Sequence, residues 1–196
     1  MTLCTKGIQR PRARVSPRRL ETHGTVRLDD YYWLRDREHP DVTGYLQAEN
    51  DYTAAVMAPT ETLQETLFDE IKGRIKQTDM SVPYREGDFT YYTRYEEGRE
   101  YPIHCRSAAG GAAAEVVLLD VNELASGQAF CQVSGLEVSP DQGLLAYAID
   151  LEGRRIHTIH FKDLTNGELL NDELRGVTSN LVWAGDNQTV FYTRQD

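Results

Sequence analysis

The chain is poor in cysteine, with three among 196 residues, Cys4, Cys105 and Cys131, isolated from one another and odd in number. That pattern suggests neither a disulfide framework nor a paired-thiolate metal site, and free thiols are expected. No apolar run approaches the roughly 18 residues needed to cross a bilayer, so no membrane partner is expected. The Gly-x-Ser-x-Gly turn that exposes a hydrolase nucleophile between strand and helix is missing as well. Ser126-Gly127 and Ser134-Gly135 each supply half of it and read as loops, and Ser139 also stands outside it. Gly110-Gly111 lies in a small-residue loop, Ser107 to Ala114, with no lysine or helix start behind it. It is a linker and not a phosphate cradle. No cofactor is expected.

Acidic residues are absent from positions 1 to 20, which carry Lys6, Arg10, Arg12, Arg14, Arg18 and Arg19. Removing those six charges from the net −10 leaves −16 on the remainder. An acidic body repels phosphate backbones, so no nucleic-acid partner is expected. Residues 1–17 read as a solvated, disordered basic leader. It lacks the apolar stretch of a secretory signal, and Pro11 and Pro17 oppose a continuous targeting helix, which makes cytoplasmic residence the expectation.

The histidines are dispersed. His157 and His160 stand three apart in a strand-like run, where an odd separation points rings to opposite faces, and His104 diverges from its neighbour Cys105 in the same way. No metal site is supported. The carboxylate pairs Asp29-Asp30 and Glu96-Glu97 read as solvated turns.

Two helical periods precede a change to strand periodicity. Asp41 to Met57 brings Val42, Tyr45, Leu46, Tyr52 and Val56 near one face, with Pro40 and Asp41 at its start and Pro59 after it. Thr60 to Lys76 places Leu63, Leu67, Phe68, Ile71 and Ile75 on one stripe, with Glu61, Glu65, Asp69 and Glu70 leading Lys72, Arg74 and Lys76. Two helices cannot bury both stripes against each other and also cover Tyr31, Tyr32 and Trp33, so a further partner surface is expected.

From Val82 onward, β-rich runs at 88–93, 144–149 and 189–193 each follow a turn rich in Gly, Pro, Asp or Asn. Val82, Val138 and Val182 stand 10, 9 and 10 positions before Tyr92, Tyr147 and Tyr192. The tyrosines are 55 and 45 residues apart, a period suited to a four-stranded propeller blade. Further strands are expected near 101–106, 116–120 and 156–161, with a short closing strand at Lys162-Asp163-Leu164. The third repeat stops after its first strand pair, leaving raw edges. The fold class is therefore mainly β with an N-terminal helical arm and an incomplete propeller of about two and a third blades.

Several segments carry a resemblance in consistent order: Asp29-Asp30-Tyr31-Tyr32-Trp33-Leu34-Arg35-Asp36, Tyr45 to Asn50, Gly98 to Ile103, Leu118 to Leu124, Ser139-Pro140-Asp141, Lys162-Asp163-Leu164 and Trp183. Over about Arg18 to Asp196 the chain resembles the prolyl oligopeptidase family of serine peptidases, in its oligopeptidase B branch. The resemblance implies a seven-bladed β-propeller capping an α/β-hydrolase domain that is absent here. It divides the chain into a leader at 1–17, a helical arm at 18–78 that would pack on the hydrolase domain, and an incomplete propeller at 79–196. It further implies a propeller that admits oligopeptide substrates only, and cleavage after Arg or Lys. The family's catalytic serine, aspartate and histidine belong to the C-terminal domain, so no catalytic residue is assigned in this chain. The competing expectation is a free-standing β-rich interaction module.

Overall fold

A computed structural model describes residues 9–110 and 114–195. Contacts group the chain into two compact units, one ending at Ile75 and the other starting at Lys76, where the sequence reading set the boundary after residue 78.

The first unit opens with a hairpin the sequence reading did not contain: β1 (Arg18–Thr22) pairs antiparallel with β2 (Thr25–Asp29) across a turn whose central residues, His23 and Gly24, have φ of 51° and 76°. Residues 9–17, expected to be disordered, are held through specific contacts. Ser16 N–H donates to the Asp30 carbonyl, the Trp33 indole N–H donates to the Arg14 carbonyl at 2.9 Å, and the Arg14 guanidinium meets Asp41 at 3.2 Å. Arg14 also lies over the Trp33 ring, which meets Tyr45 edge-on at 6.3 Å. A cation placed over an aromatic face gains on the order of 0.5–1 kcal/mol at an exposed site, enough to favour a bound strand over a solvated tail when several such contacts add. Cys4 and Gly111 lie outside the described residues.

Helix α1 (Pro40–Met57) begins with proline at its first turn, where the missing N–H costs nothing, and His39 Nδ1 accepts from the Asp41 N–H at 3.2 Å. Helix α2 (Glu61–Arg74) carries Glu61 in its first turn, Lys72 and Arg74 in its last, and a Glu70–Arg74 ion pair one turn apart.

The second unit consists of antiparallel sheets in chain order. β3 (Tyr84–Glu86), β4 (Phe89–Arg94), β5 (Ile103–Ala108) and β6 (Val116–Asp120) form the first; β7 (Gln132–Val138), β8 (Leu144–Asp150), β9 (His157–Asp163) and β10 (Leu169–Val177) form the second. β11 (Leu181–Trp183) and β12 (Val190–Tyr192) start a third. A short helix α3 (Val121–Ala125), capped by the Asp120 carboxylate accepting from the Asn122 N–H at 2.9 Å, ends the first sheet.

Three strand expectations are corrected. Ser107 and Ala108 belong to the end of β5 and not to a loop. Ser134-Gly135 lies within β7. Lys162-Asp163 is the end of β9, and the closing strand is β10, because Asp163 Oδ1 accepts from both the N–H and the hydroxyl of Thr165 and turns the chain there.

Faces alternate along β8 as the strand period requires. Leu145, Tyr147 and Ile149 enter a core with Tyr91, Leu118 and Leu119 of the first sheet and Val121 of α3. Ala146 and Ala148 enter another with Ile159, Phe161, Val177 and Leu181, reaching the third sheet. The middle sheet is thus covered on both faces, and the outer two on one each, as in an unclosed run of propeller blades.

Candidate functional site

The motifs that carry the family resemblance act as staples. Asn122 accepts from the Tyr101 N–H at 2.9 Å and donates to the Tyr101 carbonyl at 2.8 Å, while Arg99 reaches Asp120 at 2.9 Å, so the segments 98–103 and 118–124 lock together. Lys162 Nζ donates to the Leu118 carbonyl at 2.9 Å and ties β9 to the first sheet. Ser139 Oγ donates to Asp141 at 2.6 Å and accepts from the Leu144 N–H at 2.8 Å. Both functions of its hydroxyl serve the turn, and among the described residues its hydrogen-bond partners are Asp141 and Leu144, with no imidazole placed as a base.

The histidines stay apart. His160 meets the Tyr147 ring at 5.7 Å, and His157 lies buried in the same strand at an odd separation. His104 approaches the Thr93 hydroxyl, and burial pushes its pKa down. Cys105 and Cys131 are free and buried, with the Cys105 thiol pushed up to about 11 by burial, which makes it a poor nucleophile. Among the described residues no group of three metal-ligating side chains converges. Asp29 accepts from the Tyr31 N–H, and Glu96 pairs with Arg94 and Arg99, so these acidic pairs hold local structure. An open hollow of about 880 Å³ in the first unit is lined by Arg10, Tyr31, Tyr45 and Glu49 among others, with no serine, cysteine or histidine in the lining among the described residues.

What the structure does present is uncovered surface. Leu63, Leu67, Phe68 and Ile71 are between 46% and 62% exposed, so the apolar stripe of α2 is largely open, and Ile75 follows just past the helix end. On the third sheet, Val182 and Phe191 are 55% and 63% exposed on the face turned away from the second sheet. The first sheet's outward face is sealed differently. Glu115 accepts from Arg94 Nη2 at 2.9 Å and from the Tyr92 hydroxyl at 2.8 Å. The Arg94 hydrogen bonds lower the Glu115 pKa, while burial, with the Glu115 hydrogen bond, pushes Tyr92 up to about 12.

Two polar devices escaped the sequence reading. Gln142, in the left-handed region at φ 63°, joins adjacent sheets: its Oε1 accepts from the Asp88 N–H at 3.2 Å and its Nε2 donates to the Glu86 carbonyl at 2.6 Å. Its equivalence to Asn187 within the repeated turns was the available signal. Asp150, 1% exposed, accepts from the N–H groups of Glu152, Gly153 and Arg155 at 2.7–2.9 Å. Burial raises its pKa, but those backbone donors, with His157 nearby, outweigh it and hold the carboxyl below its ordinary value.

Because that folded-state pKa is depressed, the contribution of Asp150 is complete above the unfolded value of about 3.9 and vanishes as pH falls through the folded value. Asp150→Asn is expected to cost about 2–3 kcal/mol at pH 7. Thermal unfolding from pH 7 to pH 2 checks this: the gap between parent and variant closes at the acid end, and a constant gap would contradict the charge-based account.

The family model for the N-terminal β-propeller domain of prolyl oligopeptidase matches residues 11–196, and the chain belongs to the prolyl oligopeptidase family of serine peptidases. Among its relatives, dipeptidyl aminopeptidase BI of Pseudoxanthomonas mexicana is 49% identical over 191 residues, a match covering 89% of this chain and 26% of that protein. Protease 2 of Moraxella lacunata is 36% identical, with coverage of 95% and 28%. The solved structure of oligopeptidase B from Leishmania major superposes with a TM-score of 0.87 at 32% identity, covering 97% of this chain and 29% of that one. The chain spans about a quarter of the length of the curated relatives it matches.

Proposed function

We propose that this chain is the N-terminal portion of a serine oligopeptidase, supplying the arm and the first blades of a propeller that filters substrates for a C-terminal α/β-hydrolase domain. The observation that carries this reading is the bare stripe of α2 in a chain matching a quarter of its relatives' length. Burial of Leu63, Leu67, Phe68 and Ile71 is worth on the order of 1.5–3 kcal/mol each, a strong drive toward a covering domain. Hydrolysis of oligopeptides after Arg or Lys in the cytoplasm is the activity proposed for the complete enzyme. The chemistry is acyl-enzyme formation by a serine of the hydrolase domain. The propeller contributes access control and no reacting group.

The 196-residue chain is expected to leave an arginyl amide substrate intact, whereas the polypeptide continued in its own frame through a nucleophile elbow turns it over in a serine-inhibitor-sensitive manner. Inhibitor-sensitive turnover by the pure 196-residue chain would refute the assignment. So would a downstream frame without a hydrolase, which would favour the free-standing module.

A second reading, removal of dipeptides from peptide N-termini, is favoured by the 49% identity to a protein named dipeptidyl aminopeptidase BI. Mass analysis of products from a peptide with an internal arginine separates the two readings: internal cleavage supports the first, and stepwise loss of dipeptides the second.

A further inference from the structure

The first-hairpin turns of successive sheets are joined by the same chemical device. Gln142 of the second sheet accepts from the Asp88 N–H in the turn of the first at 3.2 Å. Asn187 of the third accepts from the Asp141 N–H in the turn of the second at 2.9 Å. Both carboxamides stand on left-handed residues, with φ of 63° and 59°, and each follows an aspartate whose carboxylate caps its own turn. Asp141 accepts from the Gly143 N–H at 3.1 Å, and Asp186 accepts from the N–H groups of Gln188 and Thr189 at 3.0 and 2.8 Å.

Further bonds between sheets gather at the same end. Arg106 donates to the Gln142 carbonyl at 2.7 Å, and the Trp183 indole donates to the Glu137 carbonyl at 3.1 Å. Gly87 stands at φ 55°, and a Cβ there would fall 2.7 Å from the Gln142 carboxamide, so glycine leaves that amide room in the turn of the first sheet.

We propose that the Asp186 N–H, the counterpart of the Asp141 N–H one sheet further on, is a socket for a side-chain carboxamide, Asn or Gln, held on the left-handed first-turn residue of the sheet that follows. The turn end of the propeller is then a continuous rim in which each sheet is fastened to the one before it. This rests on the proposed reading of the chain as part of a larger propeller.

Amide hydrogen exchange tests the device. Glycine is the informative replacement at 142 and 187, because it keeps the left-handed backbone and removes only the carboxamide. Gln142→Gly is expected to speed exchange at the Asp88 amide, and Asn187→Gly at the Asp141 amide, by roughly tenfold, with the ladder amides of β8 unchanged. Unchanged exchange at both turn amides would overturn the latch.

For the socket, the polypeptide is extended in its own frame by one further sheet. The Asp186 amide should slow by roughly tenfold against the 196-residue chain and revert when the new turn's Asn or Gln is replaced by glycine. Two results would overturn the socket: an Asp186 amide that stays fast while the added sheet's own ladder is protected, or a following first turn carrying neither Asn nor Gln. The second is read from sequence alone and does not depend on the extended chain folding. Absence of any further four-stranded repeat would sink the peptidase reading itself, whereas a repeat without the carboxamide sinks only the socket.

Discussion

Gly135→Ala is expected to destabilise the second unit by on the order of 4 kcal/mol, because it combines backbone strain with a collision that cannot relax. Between the pairs Ser134–Ala148 and Glu137–Ala146 the register slips, so Gly135 and Leu136 together oppose Tyr147 in a β-bulge. Gly135 adopts φ 58° there, which costs an alanine roughly 1–2 kcal/mol. An added Cβ would also fall on the Ser179 carbonyl oxygen, well inside van der Waals contact, with Leu181 Cδ2 at 3.4 Å behind it. That carbonyl belongs to the segment leading into the third sheet, so relief comes only by moving one sheet off the other. Gly127→Ala is the control: its φ is 76°, but nothing lies within 4 Å of its added carbon, and a loss of about 1 kcal/mol is expected. Urea unfolding followed by tryptophan fluorescence measures both. Equal losses for the two variants would show that close approach contributes nothing.

Tyr147→Ala is expected to cost about 3–5 kcal/mol, the range for removing a buried aromatic ring. Tyr147 is 2% exposed in the central strand pair of the second sheet, and the core it enters spans two sheets. Its loss leaves Leu118, Leu145 and the His160 ring facing a void that the ladders on either side of β8 prevent from collapsing. Tyr147→Phe keeps the ring and should stay within about 1.5 kcal/mol of the parent. Calorimetric unfolding distinguishes them, and a Tyr147→Ala loss below that of Tyr147→Phe would mean the two sheets do not share a core.

The tyrosine repeat was legible in sequence because its cause is periodic. Tyr92, Tyr147 and Tyr192 share a position on the second strand of successive sheets, β4, β8 and β12. Helices α1 and α2 were legible for the same reason, within a residue or two at each end. β10 was not, because Leu169–Val177 carries Asn, Asp, Glu and Arg and is largely exposed, so its strand character comes from pairing with β9 and leaves no apolar alternation to read. The β1–β2 hairpin hid similarly, its His23-Gly24 turn lying inside a stretch dominated by charge. Arg14 was misjudged because cation–aromatic contact depends on Trp33, 19 positions away. The uncovered stripe of α2 was foreseeable from two helices with too little partner surface. The sheet-to-sheet amides were not, since a carboxamide in a turn looks the same whether it meets water or a neighbour.

The contrast between the two outward faces has a kinetic meaning. Arg94, Glu115 and Tyr92 give the first sheet a polar, self-satisfied leading side, while Val182 and Phe191 leave the trailing side adhesive. In the larger propeller proposed above, a chain synthesised from its N-terminus would therefore turn the apolar face of its third sheet toward the sheet that follows. Such one-sided adhesion directs accretion forward and discourages early sheets of neighbouring nascent chains from joining front to front.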